Sequence, residues 1–258
     1  MACTPASDTN FPIGTTQVSC TATDALQRTA TCTFNVTVSK LPTLSRTRFL
    51  AFGDSITAGE VTAPVGTLSL SGQGAAKQVL VPSASYPAVL ERTLRGRYAS
   101  QASSISVFNY GLSGEKAIDA RPRFISALNA TQPQVVLLLE GFNDIPSGAD
   151  GAASGAASEI RNMVLEASRR GMRVFLATPT PNIPGRSRAI QTFLLVDYAQ
   201  RMRAVAANEG ATLVDIYALM LPDASRYIGI DGLHPNEAGY ARMADLFFQA
   251  IQNAFEVR

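Results

Sequence analysis

Beyond residue 47, short uninterrupted apolar runs alternate with longer amphipathic stretches, and this alternation constrains the fold more than any other feature of the chain. Uninterrupted apolar strands are typical of a parallel sheet that is covered by helices on both faces, because neither side of such a strand meets water. We therefore expect an α/β domain with a parallel sheet of about five strands. The predicted strands are residues 48–52, 105–109, 134–140, 173–178 and 212–216.

Five amphipathic stretches predict the helices that cover this sheet. They are residues 86–98, 115–128, 156–170, 190–209 and 236–255. Pro122 interrupts the second of them, because proline lacks the N–H that a helix interior needs. Ligands of open parallel sheets bind beyond the carboxyl ends of the strands, so functional residues are expected just after each strand.

The first 39 residues follow a different pattern, with apolar side chains at every second position. One such stretch contains Val18, Cys20 and Ala22, and the other contains Ala30, Cys32, Phe34, Val36 and Val38. Alternation of period two predicts strands, and residues 24–28 would form the turn between them. Two strands bury too little surface to be stable alone, so we expect residues 1–39 to pack on the α/β domain or on a second copy of the chain. Residues 40–47 are a predicted linker before a domain of residues 48–258.

Composition excludes several classes of partner. The formal net charge of the 258 residues is +2, which is too small to indicate a nucleic-acid partner. No apolar run approaches the roughly 18 residues of a membrane span, and residues 1–5 do not resemble an export signal.

Three cysteines, Cys3, Cys20 and Cys32, are confined to the N-terminal segment. Their spacing does not match the short C-x₂₋₄-C pairs of structural zinc sites, so we expect no metal site. A hairpin centred on Leu26 would bring Cys20 opposite Cys32 and permit a disulfide between them. A disulfide would indicate an oxidising compartment, whereas three free thiols would suit a reducing one.

The chain contains a single histidine, His234, and Asp231 precedes it by three residues. A serine hydroxyl becomes a nucleophile when a neutral imidazole takes its proton and a carboxylate orients that imidazole. Ser55, directly after the first predicted strand, supplies such a hydroxyl. We therefore predict Ser55 as nucleophile, His234 as general base and Asp231 as the carboxylate that orients it, with no metal or organic cofactor.

The oxyanion formed by such an attack needs hydrogen-bond donors that are already in place. Ser55 N–H, Gly111 N–H and the Asn143 side-chain amide are the predicted donors. Asp54 and Asp144 are expected to be buried hydrogen-bonding supports. Taken singly, these residues also suit ordinary roles as helix caps or turn residues. A smaller set has predicted structural roles only: Ser113 as the cap of the following helix and Glu140 as a hydrogen-bond acceptor near the site.

Four sequence blocks resemble the SGNH (GDSL) hydrolase family over residues 47–256. They are Gly53-Asp54-Ser55-Ile56-Thr57, Gly111, Gly141-Phe142-Asn143-Asp144 and Asp231-Gly232-Leu233-His234. The usual leucine after the nucleophile is Ile56 here. The resemblance implies a flavodoxin-like three-layer fold and ester hydrolysis through an acyl-enzyme. Carbohydrate O-acetyl ester hydrolysis, thioester cleavage and acyl transfer would use the same residues, and an inert adhesion protein is the alternative from another class.

Residues 1–38 resemble the C-terminal half of a hyalin-repeat (HYR) module, an immunoglobulin-like extracellular β-sandwich. The matching stretches are residues 11–16, 18–24 and 32–38, with Gln27-Arg28 in place of the usual Gly-Asn. The resemblance implies a disulfide between Cys3 and Cys20, with Cys32 left without a partner. It also implies a secreted or cell-surface protein and allows self-association through residues 1–39.

Two long loops are predicted to wall the substrate pocket, residues 59–85 and residues 178–188. The first carries the apolar residues Val61, Val65, Leu68, Leu70, Val79, Leu80 and Val81, which favours short-to-medium acyl esters. The chain contains no tryptophan, and sugar-binding platforms usually use aromatic rings. A small-molecule ester is therefore expected ahead of a glycan-linked one.

Overall fold

The computed structural model describes residues 1–64, 76–148 and 151–257. Contacts within the chain divide it into two compact units, Met1–Thr43 and Leu44–Val257.

The first unit is a small antiparallel sheet of three strands, β1 (Ala2–Thr4), β2 (Gly14–Thr23) and β3 (Thr29–Val38), in that order. Register pairs Val18 with Phe34 and so collects the alternating apolar side chains on one face. The turn after β2 is held by Asp24, whose Oδ1 accepts the N–H groups of Leu26 at 2.8 Å and Arg28 at 2.9 Å. The sequence did not predict β1, because three residues are too few to show a pattern.

The three cysteines of this unit lie side by side across its three strands. Cys20 is paired in register with Cys3 on β1 and with Cys32 on β3. Cys3 and Cys20 form a disulfide, and Cys32 is an exposed free thiol. Of the two pairings that the sequence left open, the structure contains the one implied by the HYR resemblance.

The second unit is built on a parallel sheet of five strands in the order β11-β10-β9-β5-β8. Every side chain of its middle strand β9 is buried. The remaining strands of the chain are β4 (Thr43–Leu44), β5 (Arg48–Gly53), β6 (Glu60–Pro64), β7 (Ala76–Leu80), β8 (Ser106–Gly111), β9 (Val135–Leu139), β10 (Arg173–Ala177), β11 (Thr212–Val214) and β12 (Glu256–Val257).

Helices flank this sheet and complete the predicted three-layer α/β fold, which is confirmed. They are α1 (Ser55–Ala58), α2 (Tyr86–Arg97), α3 (Ala117–Thr131), α4 (Ala152–Arg169), α5 (Thr192–Glu209), α6 (Ile216–Met220), α7 (Ala224–Tyr227) and α8 (Glu237–Phe255). Helix α2 packs on α8, where the rings of Tyr86 and Phe247 stack at 5.0 Å, while α4 packs on both α3 and α5. None of the helices in the described ranges is long and apolar enough to cross a membrane.

Two features differ from the prediction. Pro122 lies inside α3 without ending it, because a proline in the second turn removes only the bond to the carbonyl of residue 118. The long loop after the nucleophile contains an antiparallel hairpin of β6 and β7. Val65, Leu68 and Leu70, which the sequence placed in the pocket wall, lie outside the described residues.

Candidate active site

Ser55 lies where the first strand of the parallel sheet turns into a short helix. It is the first residue of α1, separated from the end of β5 only by Asp54, and it is buried. Asp54 caps this helix, because its Oδ1 accepts the Ile56 N–H at 3.0 Å. The Ser55 Oγ lies 3.0 Å from Nε2 of His234, within hydrogen-bond distance.

The histidine and its aspartate share one tight loop before α8. His234 Nδ1 lies 2.6 Å from Asp231 Oδ2, and both residues are almost completely buried. Asp231 Oδ1 also accepts the N–H groups of Leu233 at 3.0 Å and of His234 at 3.1 Å. Burial works to raise the pKa of Asp231, but the hydrogen bonds from His234 and Leu233 outweigh it and lower that pKa. A charged Asp231 favours the tautomer with the proton on Nδ1, which leaves Nε2 free to accept one from Ser55.

Main-chain hydrogen bonds hold this loop in place. The Arg188 N–H donates to the Asp231 carbonyl at 2.9 Å, and the Ile183 N–H donates to the Gly232 carbonyl at 2.9 Å. Gly232 has a φ of 83°, and a Cβ there would lie 2.3 Å from the Cβ of Arg186. Only glycine fits this close approach in the left-handed region. The loop conformation that brings Asp231 to the His234 imidazole therefore depends on Gly232.

The prediction that the Gly111 N–H is an oxyanion donor is wrong. Gly111 is the last residue of β8, and its N–H donates to Asn109 Oδ1 at 2.9 Å instead of facing the site. Gly114 borders the pocket together with Ser55 and Asn143. Its φ is 78°, and a Cβ there would meet no atom within 4 Å, so open space adjoins its backbone.

Asn143 lies beyond the end of β9 and is oriented by a carbonyl. Its Nδ2 donates to the Glu115 carbonyl at 2.8 Å, which leaves the second hydrogen of the amide for another acceptor. Asp144 holds the neighbouring helix, because its carboxylate accepts the N–H groups of Ala117 at 2.8 Å and of Ile118 at 3.4 Å.

Ser113 does not cap the following helix. The cap position of α3 is Lys116, which makes no side-chain hydrogen bond there. The Ser113 hydroxyl instead donates to the Glu60 carboxylate. Ser113 therefore contacts a pocket residue, Glu60.

Two buried carboxyl groups lie behind the site. Burial raises the pKa of Asp54 to about 7. Burial, followed by the nearby charge of Asp54, raises the pKa of Glu140 well above its usual range. Glu140 Oε1 accepts the Gly141 N–H at 3.0 Å, whereas its Oε2 and Asp54 Oδ2 have no hydrogen-bond partner among the described residues.

Glu140→Gln is expected to stabilise the protein at alkaline pH. A carboxyl whose pKa is raised by folding stabilises the fold only at low pH, and that contribution is lost as pH rises above the unfolded value of about 4.3. Glutamine keeps the acceptor for Gly141 and removes this cost. We expect the melting temperature at pH 8 to rise by about 3 °C or more, with no gain at pH 4. Calorimetry checks this, with the exposed change Glu237→Gln as the control. An unchanged or lower melting temperature of Glu140→Gln at pH 8 would contradict it.

The reactive groups open into a pocket of about 530 Å³. Both predicted wall segments contribute, although the contacts from the first are polar rather than apolar. The described lining residues are Ser55, Glu60, Gln78, Ser113, Gly114, Phe142, Asn143, Pro146, Ser187, Arg188, Ala189, Leu233 and His234. Within the described ranges, no group of three or more His, Cys, Asp or Glu residues is arranged to hold a metal ion.

The sequence reasoning did not single out Gly114, nor Glu60 and Gln78 within the predicted wall segment 59–85. Gly114 had a signal, since it follows Gly111 by three residues just before a helix. Glu60 and Gln78 had none, because they face the site only through the pairing of β6 with β7.

Two family models match the chain. The model described as the GDSL-like lipase/acylhydrolase family matches residues 51–242. The HYR domain model matches residues 2–38.

Individual relatives agree with the family match. An acetylxylan esterase of Xylanibacter ruminicola is 30% identical over 82 residues, which are 32% of this chain and 17% of that protein. The chain thus spans about a sixth of that curated relative. A lipase/acylhydrolase structure from Enterococcus faecalis has a TM-score of 0.66 at 21% identity, covering 81% of this chain and 97% of that one. An acetylxylan esterase structure from Geobacillus stearothermophilus has a TM-score of 0.60 at 23% identity, covering 81% and 94%. At these identities, the two structures show that the fold is similar and nothing further. Because the first family model matches well over half of the residues, the chain belongs to the GDSL-like lipase/acylhydrolase family.

Proposed function

We propose that the protein hydrolyses carboxylic esters through an acyl-enzyme on Ser55, with His234 as general base and Asp231 as the residue that orients it. The observation that carries this proposal is the continuous chain of contacts from Ser55 Oγ through the imidazole to Asp231, at 3.0 Å and 2.6 Å. Both distances are within the range in which a proton passes between heavy atoms.

In the proposed mechanism, His234 Nε2 takes the proton of Ser55 as Oγ attacks the ester carbonyl carbon. Asp231 stabilises the imidazolium that forms, through the Nδ1 hydrogen bond. Nε2 then gives the proton to the leaving alcohol oxygen as the carbon–oxygen bond breaks. A water molecule, activated by the same imidazole, attacks the acyl-enzyme and releases the acid.

The negative oxygen of the tetrahedral intermediate needs donors on the far side of the carbonyl carbon. We infer that these are the Ser55 N–H, the Gly114 N–H and the second Nδ2 hydrogen of Asn143. Gly114 replaces Gly111 in this role because the Gly111 N–H is already bonded to Asn109. Preorganised donors of this kind each contribute about 10²–10³-fold to the rate of acyl transfer.

We propose short-to-medium acyl groups as substrates, with carbohydrate O-acetyl esters as the second candidate. The relative from Xylanibacter ruminicola is named as an acetylxylan esterase, an enzyme that acts on acetyl esters. On the apolar side, the described pocket lining offers mainly Phe142, Pro146, Ala189 and Leu233, which is little surface for a long chain.

A series of p-nitrophenyl esters from acetate to palmitate tests this proposal. We expect kcat/KM to fall about tenfold or more between the butyrate and the palmitate, because the additional methylenes leave the pocket without apolar contacts. Values that keep rising to the palmitate would contradict the acyl preference.

For the chain as a whole, we propose a partial HYR-like module at residues 1–39, a linker at residues 40–47 and a catalytic domain at residues 48–258. We also propose a secreted or cell-surface location and self-association through residues 1–39. The HYR match and the Cys3–Cys20 disulfide support the location. The half-exposed ring of Phe34 on the apolar face of the small sheet supports self-association.

A further inference from the structure

A second carboxylate, besides Asp231, faces the catalytic imidazole. Glu60 Oε2 lies 3.6 Å from His234 Nε2, on the atom that also faces Ser55. The side chain of Glu60 is only 13% exposed. Its other carboxylate oxygen accepts the Ser113 hydroxyl, and its carbonyl accepts the Tyr240 hydroxyl. The position of this carboxylate is therefore fixed by contacts at both ends of the residue.

A neutral polar group joins Glu60 from the paired strand. Gln78 lies on β7, and its Nε2 is 3.3 Å from His234 Nε2. Both residues line the pocket. The β6–β7 hairpin thus brings an acceptor and an amide to the same imidazole nitrogen.

The position of the leaving alcohol follows from the chemistry. His234 Nε2 must come within about 3 Å of the leaving oxygen to protonate it. Groups that lie 3.3–3.6 Å from the same nitrogen therefore surround the carbon atoms bonded to that oxygen. The oxyanion donors Gly114 and Asn143 instead belong to the carbonyl side.

Charge and burial restrict what this part of the substrate can be. An alkyl group pressed against Glu60 would desolvate a carboxylate without giving it a hydrogen bond, which is costly. A hydroxyl group would donate to Glu60 Oε2 and accept from Gln78 Nε2, satisfying both.

We propose that Glu60 and Gln78 bind a hydroxyl group adjacent to the ester on the alcohol part of the substrate. Among the proposed substrates, this site favours the second candidate over a plain alkyl ester: an acyl ester of a polyhydroxylated alcohol, a sugar or polyol. The inference rests on the proposed esterase function and specifies its leaving-group side, where Glu60 determines specificity.

Glyceryl 1-monoacetate and propyl acetate test the proposal, because they share the acyl group and the three-carbon chain and differ in two hydroxyl groups. Acetate release gives kcat/KM for each ester. We expect the wild type to prefer the glyceryl ester, and Glu60→Gln to lower the ratio of the two kcat/KM values about tenfold, since a charged acceptor is about twice as strong as a neutral one. Glu237→Gln, an exposed change of the same kind, should leave the ratio unaltered.

A second variant keeps the test decisive if Glu60→Gln fails to fold. Gln78 is exposed on the hairpin, and Gln78→Leu should also lower the ratio. An unchanged ratio in a folded variant overturns the proposal. So does an equal loss on both esters with a shifted acid limb of the pH profile, which would mean that Glu60 acts on the imidazolium, as Asp231 does through Nδ1. A wild type that hydrolyses neither ester would overturn the esterase function itself.

Discussion

Ser55→Ala is expected to lower kcat for ester hydrolysis by at least about 10⁴-fold. The Ser55 Oγ is the atom that would carry the acyl group, and it is the hydroxyl at 3.0 Å from the only imidazole of the chain. The change removes one buried oxygen and keeps the backbone N–H. The fold and the remaining oxyanion donors should therefore persist.

The measurement is p-nitrophenyl acetate hydrolysis, with circular dichroism as the check on folding. Ser168→Ala, which alters an exposed serine of α4, is the matched control and should retain activity. Turnover within tenfold of the wild type in folded Ser55→Ala would reject Ser55 as the nucleophile.

Asp231→Asn should reduce kcat by about 10⁴-fold although the loop keeps its shape. An asparagine oxygen can still accept the N–H groups of Leu233 and His234 that the carboxylate accepts now. Its amide would, however, donate to His234 Nδ1 and force the imidazole proton onto Nε2. That nitrogen could then no longer take a proton from Ser55.

Asp245→Asn provides the control, since Asp245 pairs with Arg242 on α8 and does not line the pocket. Both variants should have closely similar circular dichroism spectra. If Asp231→Asn kept most of its activity, the orientation of His234 would have to depend on another group.

The parallel sheet was predictable because its strands are buried on both faces. Val135–Leu139 is apolar at every position. Between two amphipathic helices, such a short run is typical of a strand that is covered on both faces. The pairing of Asp231 with His234 was equally accessible, because three residues can be spanned by one loop whatever the rest of the chain does.

The oxyanion donor was not predictable in the same way. The strand before it extends to Gly111, two residues beyond the predicted end, so the N–H that leaves the sheet belongs to a later residue. Whether Gly111 or Gly114 faces the pocket depends on where the chain departs from β8. The Asn109 side chain, which accepts the Gly111 N–H, helps to decide this.

The roles of Glu60 and Gln78 depend on pairing across the residues between them. The apolar residues of that segment predicted an apolar pocket wall. In the structure Val79 and Leu80 are exposed, and the polar side chains of Glu60 and Gln78 face the histidine. In a two-stranded hairpin, a register shift of one residue exchanges the two faces. Sequence alone does not fix that register.

Main-chain hydrogen bonds to the catalytic loop allow the pocket lining to change while the position of His234 is kept. Arg188 holds the Asp231 carbonyl through its backbone N–H, while Ser187, Arg188 and Ala189 line the pocket. Because every residue except proline keeps this main-chain donor, residues 187–189 can change to other residues without moving His234. A library randomised at these three positions should therefore yield enzymes that differ in substrate range while sharing one catalytic geometry.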